Sequence, residues 1–158
     1  RNNTPIVLVD GSTVERDRGA NPAPTERLVV DEILPAVRKQ YPNALGRTGT
    51  GIGGISLGGG WAIEIAAHHP DLFGAAGGHS PAIGRLSPAE ILSLARHNTR
   101  LWTDVGASDD LRPRVDDQSE RMRRAGVAVM SMHWDGQHDR RYWSQHTEDY
   151  LRFYAETW

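Results

Sequence analysis

Residues 53–61 read Gly53-Gly54-Ile55-Ser56-Leu57-Gly58-Gly59-Gly60-Trp61, one hydroxyl set among glycines. Such a run loses unusually much backbone entropy on folding and buries little side chain in return. Core packing alone does not justify it. Upstream, Thr48–Ile55 is apolar and glycine-rich, which predicts a strand on which something packs closely. Downstream, Leu57 to His69 predicts a helix with Ile63, Ala66 and Ala67 turned inward. Ser56 therefore stands at a strand-to-helix turn.

Working outward, the same alternation recurs. Thr4–Asp10 (TPIVLVD) is an apolar, β-branched run ending in Asp-Gly, and reads as a buried parallel strand. Gly11 to Pro24 reads as a loop. Val30, Ile33, Leu34, Val37 and Tyr41 make one helical stripe, which Pro35 should kink. Leu72–Gly77, Arg100–Val105 and Val127–His133 read as further strands. Between them fall a short helix from about Ser87 and an amphipathic helix over Asp109 to Ala125, with Leu111, Val115 and Met122 on its apolar side. Trp143, Tyr150, Leu151, Tyr154 and Trp158 form an aromatic stripe on a last helix, which reads as packing against the sheet. Five strands alternating with helices predict an α/β fold: a mostly parallel sheet, helices on both faces, right-handed crossovers. No internal repeat or low-complexity tract interrupts the pattern.

The composition bounds the rest. A chain of 158 residues suits a single domain over 1–158. Its net charge of −2 gives no basic field for nucleic acid. A single lysine, Lys39, stands against seventeen scattered arginines, a bias of composition rather than a patch. The absence of cysteine removes thiol catalysis, zinc–thiolate sites and disulfides. No apolar run approaches the roughly 20 residues that span a bilayer, so no membrane partner is expected.

In an open parallel sheet, functional groups collect at the carboxyl ends of the strands. Ser56 lies at such an end, and Gly54-Ile55-Ser56-Leu57-Gly58 fits G-x-S-x-G. The turn is so sharp that flanking side chains should collide, which places glycine two residues before and two after. The hydroxyl is thrust clear of the sheet, while the helix N-terminus and the Leu57 amide point at any developing oxyanion. A phosphate-cradling loop is disfavoured because no Lys-Ser/Thr follows the glycines.

A serine hydroxyl needs a base. With this kind of turn the chain order is Ser, then Asp or Glu, then His. His68 and His69 end the helix after Ser56. His79 follows the third strand but precedes any suitable acid. His97 lies at a helix end, His133 inside a strand and His146 within the last helix. His138 remains, in a loop after the fifth strand. For the acid, Asp109 and Asp110 are loop candidates that could equally cap the helix before Leu111. Asp104, inside its strand, ranks third. Trp61, His79 and Trp143 sit near these segments, where they could shape an acyl pocket; a buried Trp is more often core, and all three stay outside the catalytic set.

With these segments in place, the chain resembles the esterase D-like branch of the α/β hydrolases, and within it the feruloyl esterase-like carbohydrate esterases. GISLGGGWAIEIAAHHPDLFGAAGGHSPA is similar to that group's nucleophile block. DVGASDD is similar to its acid loop, where the aspartate comes three residues after the glycine, which selects Asp109. DGQHDRRYW is similar to its histidine block, which selects His138. The resemblance implies a catalytic set of Ser56, Asp109 and His138, with the Leu57 amide as oxyanion donor and no metal or organic cofactor. It implies hydrolysis of hydroxycinnamoyl or acetyl esters, small or linked to a saccharide. An acyltransferase on the same scaffold, or a non-catalytic binding module, are the alternatives.

The family also carries strands before the one at Thr4–Asp10, including a His-Gly loop that supplies a second oxyanion donor. That loop has no counterpart in this sequence. A fragment or a minimised hydrolase is therefore expected, with amides near Gly11 and Ser12 as substitutes. An exposed first edge would invite a homodimer.

Overall fold

The computed structural model describes residues 5–8, 22–42 and 46–156. The chain divides into two compact units, Arg1–Gly46 and Arg47–Trp158.

In the first unit a helical run passes through Ala23–Arg27 (α1), a wider-wound stretch Leu28–Ile33, and Leu34–Gln40 (α2). This is the form the expected break at Pro35 takes. The Leu34 N–H reaches back five residues to the Val29 carbonyl. Pro35 has no N–H to offer residue 31, and its ring crowds that carbonyl, so the coil widens just ahead of it. The expected strand at Thr4–Asp10 is corrected where it can be seen: Pro5–Leu8 form no strand, and Ile6 and Leu8 are 63% and 91% exposed. Thr4, Val9 and Asp10 lie outside the described residues. Apolar, β-branched composition suits a strand, but only a ladder partner makes one, and Pro5 brings no N–H to a ladder.

The second unit carries the sheet. Gly51–Ile55 (β1), Ala75–His79 (β2), Arg100–Gly106 (β3) and Val129–Trp134 (β4) pair in parallel in the order β1-β2-β3-β4. The α/β class stands, with four described parallel strands in place of about five. The crossovers are Leu57–His68 (α3), Pro88–Arg96 (α4) and Arg112–Arg124 (α5). Ser87 opens α4 with a capping box, its hydroxyl accepting the Glu90 N–H while Glu90 accepts the Ser87 N–H.

Register assigns the two faces. Gly53, Gly77 and Trp102 are neighbours across the sheet, as are Gly54, Gly78 and Thr103. On the second of these faces, Ile63 of α3 packs so closely on Gly78 that an added Cβ would meet its Cδ1 at 2.9 Å. Beside it, Thr103 meets Ser119 of α5 at 2.9 Å. Ile63, Ala66, Val115 and Met122 are all at most 1% exposed there. Full burial of an aliphatic side chain is worth about 1.5–3 kcal/mol, so this layer holds the crossover helices in place.

The opposite face is covered by the end of the chain. One final helix was expected; two are found, Arg140–Gln145 (α6) and Thr147–Ala155 (α7), broken at His146. The His146 ring lies flat on Trp134, centroids 3.9 Å apart, which anchors the break to β4. Tyr150 and Phe153 are buried with Trp102, whereas Leu151 of the expected stripe points outward at 46% exposure. Trp158 lies outside the described residues. Tyr154 occupies a trough floored by Gly53 and Gly77, where a Cβ on either glycine would collide with the phenol. The glycines of β1 and β2 thus leave room for an aromatic ring. Among the described residues no helix is long and apolar enough to cross a membrane.

Candidate active site

Ser56 joins β1 to α3 with φ 53° and ψ −121°, a conformation that L-residues rarely adopt. The surroundings over-determine it. Its N–H donates to the His79 carbonyl at 2.9 Å, and its own carbonyl accepts from Gly59, Gly60 and Ala82. Strain held this firmly belongs to sites where a side chain must be presented in one direction. The glycine requirement differs from the simple expectation. A Cβ at Gly54 would strike the Gly58 backbone, and one at Gly60 would meet the Ala82 carbonyl at 2.6 Å, but one at Gly58 would meet nothing. Close approach of backbones, two before and three and four after the serine, is what excludes side chains. Leu57 is the first residue of α3, so its N–H is among those with no intrahelical acceptor.

The three side chains selected from the sequence meet here. The Ser56 Oγ lies 2.8 Å from His138 Nε2, and His138 Nδ1 lies 2.8 Å from Asp109 Oδ2. With a carboxylate at Nδ1, the imidazole donates from Nδ1 and accepts the serine proton at Nε2. The Asp109 carboxyl is fully buried while His138 is about one-third exposed. Asp109 also braces the turn that leads into α5: its Oδ1 accepts the Leu111 N–H at 2.9 Å. One oxygen thus faces the imidazole and the other the turn before α5. Asp110, the other loop candidate, is exposed.

Two loops are clamped together to bring this about. Ala107 N–H donates to the Trp134 carbonyl and Ser108 N–H to the Gly136 carbonyl. Gly106 permits the contact, since a Cβ there would meet the Gly136 oxygen at 2.5 Å. Asp139 caps α6 through the Tyr142 N–H at 2.9 Å. The His138 ring stands edge-on to Trp143 at 5.1 Å, and the Trp143 indole N–H donates to Ser80 Oγ at 3.1 Å. Trp143 is thus half-buried beside the imidazole, while Trp61 is core at 5% exposure.

The sequence reading missed a second pair. His79 and Asp104 were set aside separately; their side chains meet at 2.8 Å on the α7 side of the sheet. The available signal was alternation. His79 ends β2 and Asp104 is its register partner in β3, so both project to one face. Burial, aided by the Asp104 carboxylate, pushes the phenols of Tyr150 and Tyr154 well above their ordinary value.

The remaining histidines have local partners. His133 meets Asp116 at 2.6 Å and His97 meets the Ser93 carbonyl at 2.9 Å. His68 joins Glu90 at 3.0 Å and, with Glu64, forms the one metal-capable cluster among the described residues. Burial there opposes ionisation of Glu90, but hydrogen bonds from Ser87 and His68 outweigh it and hold the carboxyl below the usual range. The capping box and the ion pair account for these groups.

A parallel α/β sheet with a strained serine after a strand, an imidazole against it and a carboxylate behind defines a protein of the α/β-hydrolase class. More narrowly, the chain belongs to the esterase family described as "Putative esterase", whose model matches residues 11–154. No curated relative matches by sequence. Among solved structures, a ferulic acid esterase superposes with a TM-score of 0.72 at 26% identity, over 84% of this chain and 61% of its own. An S-formylglutathione hydrolase from Staphylococcus aureus gives 0.69 at 20% identity, over 85% and 63%. A fluorophosphonate-binding serine hydrolase from Staphylococcus aureus gives 0.67 at 22% identity, over 80% and 62%. The last two, at these identities, speak to fold alone. The chain spans about three-fifths of the length of each of these structures.

Proposed function

We propose that this protein is a serine carboxylic-ester hydrolase, with its 158 residues working as one catalytic domain. The observation that carries the reading is the unbroken hydrogen-bonded path from Ser56 through His138 to Asp109. Ser56 Oγ attacks the ester carbonyl while His138 Nε2 takes its proton. Asp109 holds the productive tautomer and stabilises the imidazolium. The Leu57 amide, at the positive end of α3, stabilises the oxyanion as the carbonyl carbon becomes tetrahedral. His138 returns the proton to the leaving alcohol, leaving an acyl-serine. Water, deprotonated by the same imidazole, then releases the acid.

One oxyanion donor is an incomplete hole, and a missing donor costs about 3–4 kcal/mol of barrier. Gly11 and Ser12, the expected sources of the second, lie outside the described residues. The resemblance to a ferulic acid esterase supports hydroxycinnamoyl or acetyl esters as substrates, the alcohol being small or a saccharide.

The test is a fluorophosphonate probe alongside p-nitrophenyl acetate. The wild type should be labelled and turn over the ester; Ser56→Ala should do neither. Unchanged turnover in Ser56→Ala ends the proposal. Turnover that transfers the acyl group to an added alcohol in place of water would identify an acyltransferase on the same scaffold.

A further inference from the structure

A cavity of about 380 Å³ is lined by Ile83, Gly84, Arg85, Arg114, Asp117 and Gln118. Two of its walls continue segments that build the site. Ala82, next to Ile83, donates its N–H to the Ser56 carbonyl at 2.9 Å. Arg114 lies in the first turn of α5, and Asp109 holds the Leu111 N–H just before that helix. The cavity is therefore tied, through Ala82 and the start of α5, to the two loops that carry Ser56 and Asp109.

Its chemistry is that of an anion site. Gln118 is 3% exposed, yet its Nε2 has no hydrogen-bond partner. The amide cannot be turned round to cure this. Its oxygen accepts from the Arg121 guanidinium at 2.6 Å, and a guanidinium only donates. A buried donor without an acceptor is costly and calls for an explanation. Arg85 and Arg114 are exposed, and neither guanidinium is hydrogen-bonded or ion-paired among the described residues. Two unpartnered guanidiniums and the Gln118 side chain thus line one cavity, with a single carboxylate, Asp117, to accept from a hydroxyl. Charged walls do not suit an aromatic or alkyl acyl group.

We infer that this cavity is a subsite for the alcohol half of the ester, taking a carboxylate or phosphate that carries a neighbouring hydroxyl. The inference rests on the esterase reading for the substrate's role, but its test does not require turnover. The side-chain amide signals of Gln118, identified by their loss in Gln118→Glu, are followed by NMR in the Ser56→Ala protein. Glucuronate, glucose 6-phosphate and neutral glucose are titrated in turn. A saturable movement with at least one of the two anions is expected, about tenfold weaker with glucose and about tenfold weaker in the Arg85→Gln/Arg114→Gln double variant. The stronger of the two anions identifies carboxylate or phosphate as the group recognised. No movement with either anion, an equal response to glucose, or full binding by the double variant overturns the subsite. Failure of the wild type to react with the fluorophosphonate would instead remove the esterase reading and leave an anion site of another purpose.

Discussion

Two histidine–aspartate pairs, each joined through Nδ1 at 2.8 Å, are set by this sheet, one within its strands and one in the loops beyond them. Their surroundings separate them. His138 turns its Nε2 to a strained, half-buried serine and is itself about one-third exposed. His79 turns its Nε2 to the Tyr154 phenol at 3.1 Å and lies stacked on Tyr150 at 3.6 Å. Asp104 is satisfied on all sides, accepting from Trp102 Nε1 at 2.7 Å and Tyr150 Oη at 2.9 Å in addition to His79. Asp109 lies beyond the end of β3, in a loop, while Asp104 lies within the strand. A carboxylate behind an imidazole is thus not a site by itself. What the far nitrogen meets, and whether a substrate can reach it, decides between chemistry and cohesion.

The contrast is open to experiment, and the largest effect should fall on the exposed pair. His138→Ala should lower kcat about 10⁶-fold, and Asp109→Asn about 10⁴-fold, by analogy with serine hydrolases of known mechanism. His138→Ala should leave the denaturation midpoint close to wild type, because its ring is partly in solvent. Steady-state kinetics beside urea unfolding reads both. Activity that survives His138→Ala would place the base elsewhere.

The buried pair should show the reverse. Asp104→Ala strands three donors in the interior and should cost about 3–5 kcal/mol of stability, while whatever protein remains folded reacts with the fluorophosphonate at a near-normal rate. A stable Asp104→Ala protein with lost activity would erase the distinction between the two pairs.

A smaller effect tests the trough beneath His79. Gly53→Ala drives a methyl group into the Tyr154 phenol and should cost about 1–3 kcal/mol by overpacking. Gly58→Ala, whose Cβ meets nothing, should cost less than Gly53→Ala. Equal losses at the two positions would show that chain flexibility, not the ring, sets the need for glycine.

The smallest effect is a pH dependence of the buried network. Burial and the Asp104 carboxylate raise the Tyr150 phenol above its ordinary value of 10 in the folded state. The stability this confers is complete below that value. It is lost as pH rises above it, because the unfolded chain ionises first. Tyr150→Phe should flatten the alkaline fall in unfolding free energy. An unchanged slope would assign the alkaline loss to other groups.

Much of this was legible because it is local. The nucleophile turn needs glycine at particular separations from one serine, and a strand–turn–helix boundary shows directly in residue order. The acid and base segments follow strands, and the resemblance singled out Asp109 and His138 within them. Other features resisted for physical reasons. Pro5–Leu8 has the composition of a strand, yet pairing is a property of neighbours. The expected strand at Leu72–Gly77 is found at Ala75–His79, because the Leu72 N–H is turned back to the His69 carbonyl at 3.0 Å. The last helix breaks at His146 because a ring stacks on Trp134, a contact between residues twelve apart.

Residue order alone determined the alternation of strands and helices, the strained serine turn and the segments able to supply its acid and base, since each depends on backbone sterics and short-range periodicity. Tertiary structure decided which aspartate faces which histidine. It also decided that glycines in β1 and β2 make room for Tyr154, and that Gln118 is left with an unmatched donor in a cavity wall. Those outcomes depend on register between strands and on the packing of α5, α6 and α7 over them, which bring together groups from distant parts of the chain.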